Sequence, residues 1–157
     1  MTRKIHVRRS VIHGNGVFAA TDIPAETRLI EYKGRVMTHR QADRLYEGDN
    51  ETGHTFLFTL NDKYIVDANV DGNDARWINH GCDPNCDAVL EEDEGGDRRK
   101  DRVFMEAGRD IRAGEELTYN YGIVLAERQT PRMKAIWACH CGSPKCTGTM
   151  LQPKRKR

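Results

Sequence analysis

Three cysteines stand together near the C-terminus in Cys139-His140-Cys141-Gly142-Ser143-Pro144-Lys145-Cys146, and two more stand far upstream in Asn79-His80-Gly81-Cys82-Asp83-Pro84-Asn85-Cys86. Three close thiolates with one remote partner suit a four-coordinate structural zinc, whose tetrahedral shell is built from four thiolates or from three and an imidazole. A metal held this way pins the end of the chain to a loop formed much earlier, which restricts the fold more than any other feature. The spacing leaves the fourth position open between Cys82 and Cys86, and His140 could replace one thiolate; with five cysteines one thiol is left over. Both segments are dense in polar residues, so the tail is expected to close over a site of chemistry and not over a core.

Five cysteines in 157 residues, with no basic n-region and apolar stretch at the start, read as reduced thiols of an intracellular protein and not as a disulfide scaffold. The length suits one domain. Lys plus Arg total 25 against 24 acidic residues, which gives no general case for nucleic-acid binding. Only the basic tail, Pro153-Lys154-Arg155-Lys156-Arg157, offers a weak nucleic-acid contact or an import signal. Apolar runs fall far short of the roughly 20 residues that span a bilayer. A soluble protein with no membrane partner is expected.

Short β-branched or aromatic runs separated by turn signals predict a mainly β chain. They are Val7, Val11, Val17-Phe18-Ala19, Leu29-Ile30-Glu31-Tyr32, Thr55 to Leu60, Tyr64-Ile65-Val66 and Val103-Phe104-Met105. Two stretches read as helical: Thr38 to Glu47, with Thr38 as N-cap, and the very short Asp74 to Ile78. Glu91 to Asp101, an acidic block, two glycines and a mostly basic block, reads as a solvated hairpin tip.

Read in order, the chain carries His13-Gly14-Asn15-Gly16-Val17-Phe18-Ala19, then Glu31-Tyr32-Lys33-Gly34, then Arg76-Trp77-Ile78-Asn79-His80-Gly81-Cys82-Asp83-Pro84-Asn85, then Gly114-Glu115-Glu116-Leu117-Thr118-Tyr119-Asn120-Tyr121-Gly122 and the cysteine tail. This resembles the SET-domain protein-lysine methyltransferases over roughly residues 5 to 151. The resemblance implies a mainly β fold of small curved sheets, with a knot-like threaded C-terminal segment and a short zinc-bound tail. It divides the chain into a SET domain at 5–122 with a variable insert at about 38–54, a post-SET zinc segment at 123–151 and the basic tail at 152–157. It also selects Cys82 over Cys86, so that one structural zinc is expected on Cys82, Cys139, Cys141 and Cys146.

Family membership further implies methyl transfer from S-adenosylmethionine to a lysine ε-amine of a protein or peptide, a histone among the candidates. The amine must be neutral to attack, and free lysine has a pKa of about 10.4; a narrow apolar channel disfavours the ammonium, and aromatic walls still tolerate methylated cations. By resemblance Tyr121 is the catalytic tyrosine, and Tyr119 is the position that limits how many methyl groups fit. Phe56, where many relatives carry tyrosine, completes the substrate channel and acts in the opposite direction, unless it is core. Gly14, Asn15, Gly16 and Val17 are expected along the cofactor, Asn79 and His80 at its amino-acid and adenine ends, and Trp137 as a roof over the adenine. Arg76 is expected to steady its loop, and Tyr32 either to touch ligand or to pack.

Arg35 follows Gly34 where relatives often carry Glu, so an acidic contact is missing or reversed. The chain starts almost at the homology, without the cysteine-rich segment that precedes it in many histone-directed relatives, and this places substrate choice in residues 38–54 and the tail. A non-catalytic zinc module that binds peptide or nucleic acid is the alternative reading. Localisation is expected to be cytoplasmic in a bacterium and nuclear in a eukaryote.

Overall fold

The computed structural model describes residues 4–46, 56–123 and 130–151. In chain order the elements are β1 (Ile5–Arg9), β2 (Asn15–Ala19), β3 (Arg28–Glu31), β4 (Arg35–Thr38), α1 (His39–Leu45), β5 (Leu57–Thr59) and β6 (Tyr64–Asp67). A 3-10 turn (Asp74–Trp77), β7 (Asn79–His80), β8 (Cys86–Glu91), a second 3-10 turn (Arg98–Lys100), β9 (Arg102–Ala107), β10 (Thr118–Tyr119) and α2 (Pro131–Ile136) follow. The expected mainly β fold of small sheets is what is found. Thr55, residues 47–54 of the insert and the basic tail lie outside the described residues.

The first sheet is the hairpin β1–β2, with Val7 opposite Val17. Its turn is closed by Ser10 N–H donating to the Gly14 carbonyl at 2.7 Å, and Gly14 adopts φ 46°, a left-handed conformation that costs glycine little. Val11, expected in a strand, instead projects from this turn and is 98% exposed. The turn takes residues 10–14 out of the pairing. A second sheet has the order β3-β9-β8 and a third β4-β6-β5. The acidic and basic block between β8 and β9 is a hairpin connection, but an organised one: Asp101 is buried and accepts from Asp93 N–H at 2.9 Å and from Asn61 Nδ2 at 3.0 Å.

Helix α1 begins where Thr38 predicts. The Thr38 hydroxyl accepts from Gln41 N–H at 3.1 Å and the Gln41 side chain accepts from Thr38 N–H at 2.9 Å, a reciprocal capping box. Sequence reading missed α2, although its signal is present: Thr130 caps it and Pro131 occupies its first turn.

Val17, Ile23, Ile78, Met105, Ile111 and Leu117 are fully buried and gather all the sheets into one core. Among the described residues, the buried apolar side chains of the tail, Met133, Trp137 and Leu151, form a small cluster of their own with Ile123, Ile136 and Met150 packed against it. That apolar surface is too little to offset the entropy of ordering the segment, so the tail depends on another tether.

Asp67 ends β6 with 0% exposure and organises the neighbourhood of the insert. It accepts from Tyr46 Oη at 2.6 Å, from Asn69 N–H at 2.9 Å and from Asn69 Nδ2 at 3.0 Å. Arg35 lies 3.5 Å from the same carboxylate, so the departure noted after Gly34 produces a cation facing a buried anion. Replacing Asp67 with Ala leaves the Tyr46 hydroxyl and the Asn69 amide unpaired. We expect a loss of about 2–4 kcal/mol of stability, measured by urea unfolding at unchanged slope.

Candidate active site and metal centre

The site is built where two short segments far apart in the chain pair side by side. β7 and β10 run parallel, with Thr118 beside Asn79 and Tyr119 beside His80, and Gly81 N–H extends the pairing by donating to the Tyr119 carbonyl at 3.1 Å. A Cβ on residue 81 would lie 2.7 Å from the Thr118 side chain, so only glycine permits this approach. Asn85 locks the second strand into place: its Nδ2 donates to the Glu116 carbonyl at 2.9 Å, and its Oδ1 accepts from Thr118 N–H at 2.9 Å.

Two tyrosines result, two residues apart, with ring centroids separated by 4.8 Å. Tyr121 Oη donates to the Ile78 carbonyl at 2.6 Å and its backbone N–H donates to His80 Nδ1 at 3.1 Å, so the 78–80 segment grips it at both ends. Burial raises its pKa well above the ordinary phenol range, with the nearby Tyr32 and Glu116 adding to the effect. Tyr121 is therefore a neutral hydrogen-bonding phenol at physiological pH, unsuited to act as a phenolate base. Burial likewise raises Tyr119, next to Tyr121 and Tyr32. Tyr119 is wedged between Tyr121 and Phe58, at 4.8 and 5.9 Å between ring centroids.

A cavity of about 400 Å³ opens beside these rings, lined by Tyr121, Phe56, Trp77, His80 and Trp137 among others. Phe56 meets Trp77 edge-on at 5.3 Å. Tyr32 is buried, donates from its hydroxyl to the Phe56 carbonyl at 3.0 Å and packs against Phe58 with the rings tilted.

Of the other cavity residues anticipated from the sequence, Gly14, Asn15 and Asn79 line it. Gly16 and Val17 do not: the valine side chain is fully buried in the core, and a Cβ on residue 16 would meet the Glu116 carboxylate. Tyr119 stands behind Tyr121 and not at the wall. Asn79 spends its amide nitrogen internally, donating to the His13 carbonyl at 3.2 Å, the Asn15 carbonyl at 3.1 Å and Glu116 at 2.8 Å. Arg76 lines the cavity with its guanidinium 4.7 Å from the Trp77 ring and donates to the Ala68 carbonyl at 3.4 Å, while its buried Nε has no hydrogen-bond partner among the described residues.

Sequence reading missed Glu116, whose carboxylate accepts from Ser10 Oγ at 2.7 Å as well as from Asn79. It joins the turn after β1 to β7 ahead of the tyrosines. Its place in Glu-Leu-Thr-Tyr was the only signal.

Cys82, Cys139, Cys141 and Cys146 bring their sulfurs within 4.8 Å of one another. Cys82 Sγ and Cys139 Sγ are 3.7 Å apart, close to the roughly 3.8 Å edge of a tetrahedron with zinc–sulfur bonds of about 2.3 Å. The thiols therefore fit a metal of that size. Burial works against ionising Cys141, but the Cys82 and Ser143 backbone N–H groups and the neighbouring thiols outweigh it and leave a pKa of about 7, while burial pushes the adjoining Cys139 thiol well up, so the thiolate character within the group is concentrated on Cys141. Cys86 is different in kind: it lies in β8, 1% exposed, and burial pushes its thiol up to about 12. His140 lines the cavity and is outside the four-sulfur group.

A SET domain model matches residues 14–122. Among similar proteins, the histone-lysine N-methyltransferase set1 of Dictyostelium discoideum is 38% identical over 94% of this chain and 9% of its own length. A histone-lysine N-methyltransferase of Candida albicans, H3 lysine-4 specific, is 40% identical over 89% of this chain and 13% of its own length. The human histone-lysine N-methyltransferase 2D is 34% identical over 90% of this chain and 2% of its own length. The chain thus spans a small fraction of the length of the curated relatives it matches.

Proposed function

The chain belongs to the SET-domain family, and from that premise we propose that it is a protein-lysine N-methyltransferase that uses S-adenosylmethionine, with a lysine of a histone as its first candidate substrate. One observation carries the reading: the β7–β10 pairing sets a half-buried, hydrogen-bonded Tyr121 against an aromatic-walled cavity. Relatives bearing names of histone-lysine N-methyltransferases, four of them named as H3 lysine-4 specific, support the substrate class. A histone substrate would make the nucleus the place of action in a eukaryotic cell.

When bound, the donor supplies an electrophilic methyl carbon on a sulfonium. Gly14 and Asn15, with the backbone of Asn79 and His80 and the ring of Trp137, would hold the donor in the cavity they line. The rings of Tyr121, Phe56 and Trp77 would desolvate the incoming lysine stem and disfavour its ammonium form. With its hydroxyl proton committed to the Ile78 carbonyl, Tyr121 turns oxygen lone pairs outward, where they can orient the reacting groups. Tyr119, behind it, would set the depth of the channel and so the number of methyl groups that fit. Cys82, Cys139, Cys141 and Cys146 would hold one structural zinc.

If the chain must receive a neutral lysine, kcat/KM for a lysine peptide should rise about tenfold per pH unit from about 7 toward 9, since the free amine titrates near 10.4. The raised values of Tyr119 and Tyr121 keep both phenols protonated across that window, so neither adds a falling limb. Single-turnover kinetics over this range checks it. A flat profile would contradict the neutral-amine requirement.

A further inference from the structure

We propose that His80 is a positioning residue that ties the sulfur cluster to the backbone of Tyr121. The imidazole is 2% exposed, and both ring nitrogens are engaged. Nδ1 lies 3.1 Å from Tyr121 N. A backbone N–H only donates, so Nδ1 must carry the lone pair, and in a neutral ring the proton then resides on Nε2. Nε2 is 3.7 Å from Cys82 Sγ, within reach of an N–H···S bond. The ring also meets Tyr121 edge-on, with centroids 5.4 Å apart.

The consequence is a continuous path of two contacts: the sulfur fixes the tautomer, and the tautomer presents a lone pair to Tyr121 N–H, a bond that sets where the Tyr121 backbone leaves β10. Cys82 and His80 share one short segment, and the first cysteine of the upstream loop is spaced so that its sulfur returns to the imidazole. A metal on the four thiols would therefore do more than order the tail. It would hold Cys82 as the acceptor that keeps His80 in the orientation Tyr121 needs. The inference rests on the methyltransferase reading only for the task of Tyr121; the tautomer and the N–H···S bond are open to test without turnover.

The direct test uses the intact chain loaded with cadmium-113 and labelled with nitrogen-15. Nitrogen shifts of His80 should report a bare Nδ1 and a protonated Nε2, and the Nε2 proton should couple to cadmium through Cys82. Two variants separate the arms. His80→Asn keeps an acceptor near the Nδ1 position but loses the reach to sulfur, and zinc should pass to a competing chelator about 10-fold faster or more, the scale on which partners of metal ligands act. His80→Gln retains an amide near the Nε2 position but no acceptor for Tyr121 N–H; kcat on a lysine peptide should fall about 10-fold or more with KM and zinc release little changed. A ring that merely fills space would produce neither split. A proton on Nδ1 with no coupling to cadmium in the wild-type chain would overturn the proposal, and because that spectrum needs no methyl transfer it fails independently of the enzymatic reading.

Discussion

Tyr121→Phe should lower kcat on a lysine peptide by about 10² to 10³ while S-adenosylmethionine binds within about twofold of its wild-type affinity. The substitution keeps the ring, its contact with Tyr119 and the N–H bond to His80, and removes a single oxygen. That oxygen is the polar atom fixed by the Ile78 carbonyl at 2.6 Å, so its loss is felt in alignment and not in the shape of the donor site. A loss confined to kcat is the mark of an interaction made in the transition state. There is a separate structural cost, because Ile78 is buried and its carbonyl loses a donor, worth about 1–3 kcal/mol. Activity and donor binding must therefore be measured well below the variant's melting temperature. Normal kcat in that variant would remove Tyr121 from the chemistry.

The second large effect concerns the metal. The purified chain should contain one zinc, and its removal by a chelator should abolish methyl transfer and weaken donor binding by more than about 100-fold, while the β sheets stay folded. The reason is the division of the core: Met133, Trp137 and Leu151 form a cluster of their own, separate from the one that gathers the sheets. Structural zinc contributes about 10–16 kcal/mol to small domains that fold around it. Without it the segment that carries Ala135 to His140 along the cavity has no sufficient tether. Far-ultraviolet dichroism should change little as tryptophan fluorescence shifts with the exposure of Trp137. Elemental analysis separates the thiols: Cys82→Ser should lose most of its zinc and Cys86→Ser should retain it. The opposite pattern would move the fourth ligand to the strand.

The motifs that carry chemistry were legible because each depends on residue types at fixed spacing. The cysteine tail, Asn-His-Gly-Cys and the paired tyrosines all lie where the resemblance led one to look. What spacing could not supply was orientation. Val17 follows Gly-Asn-Gly and so falls within the expected cofactor loop, but strand alternation turns it into the core. Asn79 reads as a cofactor contact partly through its backbone, and its side-chain nitrogen is occupied by two carbonyls and Glu116. Glu116 itself could not be singled out, because its importance comes from partners 37 and 106 residues away in the chain. Very short strands such as β7 and β10 carry no periodicity to detect; they exist because Asn85 and their own parallel pairing hold them together. Helix α2 was overlooked for a different reason, since its Thr-Pro start signal was present and simply not used.

The claim that the chain is a lysine methyltransferase is tested most directly by mass spectrometry of histones and lysine peptides incubated with the zinc-loaded protein and S-adenosylmethionine carrying a trideuterated methyl group. The account predicts deuterated methyl-lysine in the product, with a histone H3 peptide containing lysine 4 among the first substrates to try, and its loss in the Tyr121→Phe control. Donor bound to the wild-type chain with no deuterium transferred to any lysine, across histones and a whole-cell lysate, would contradict it.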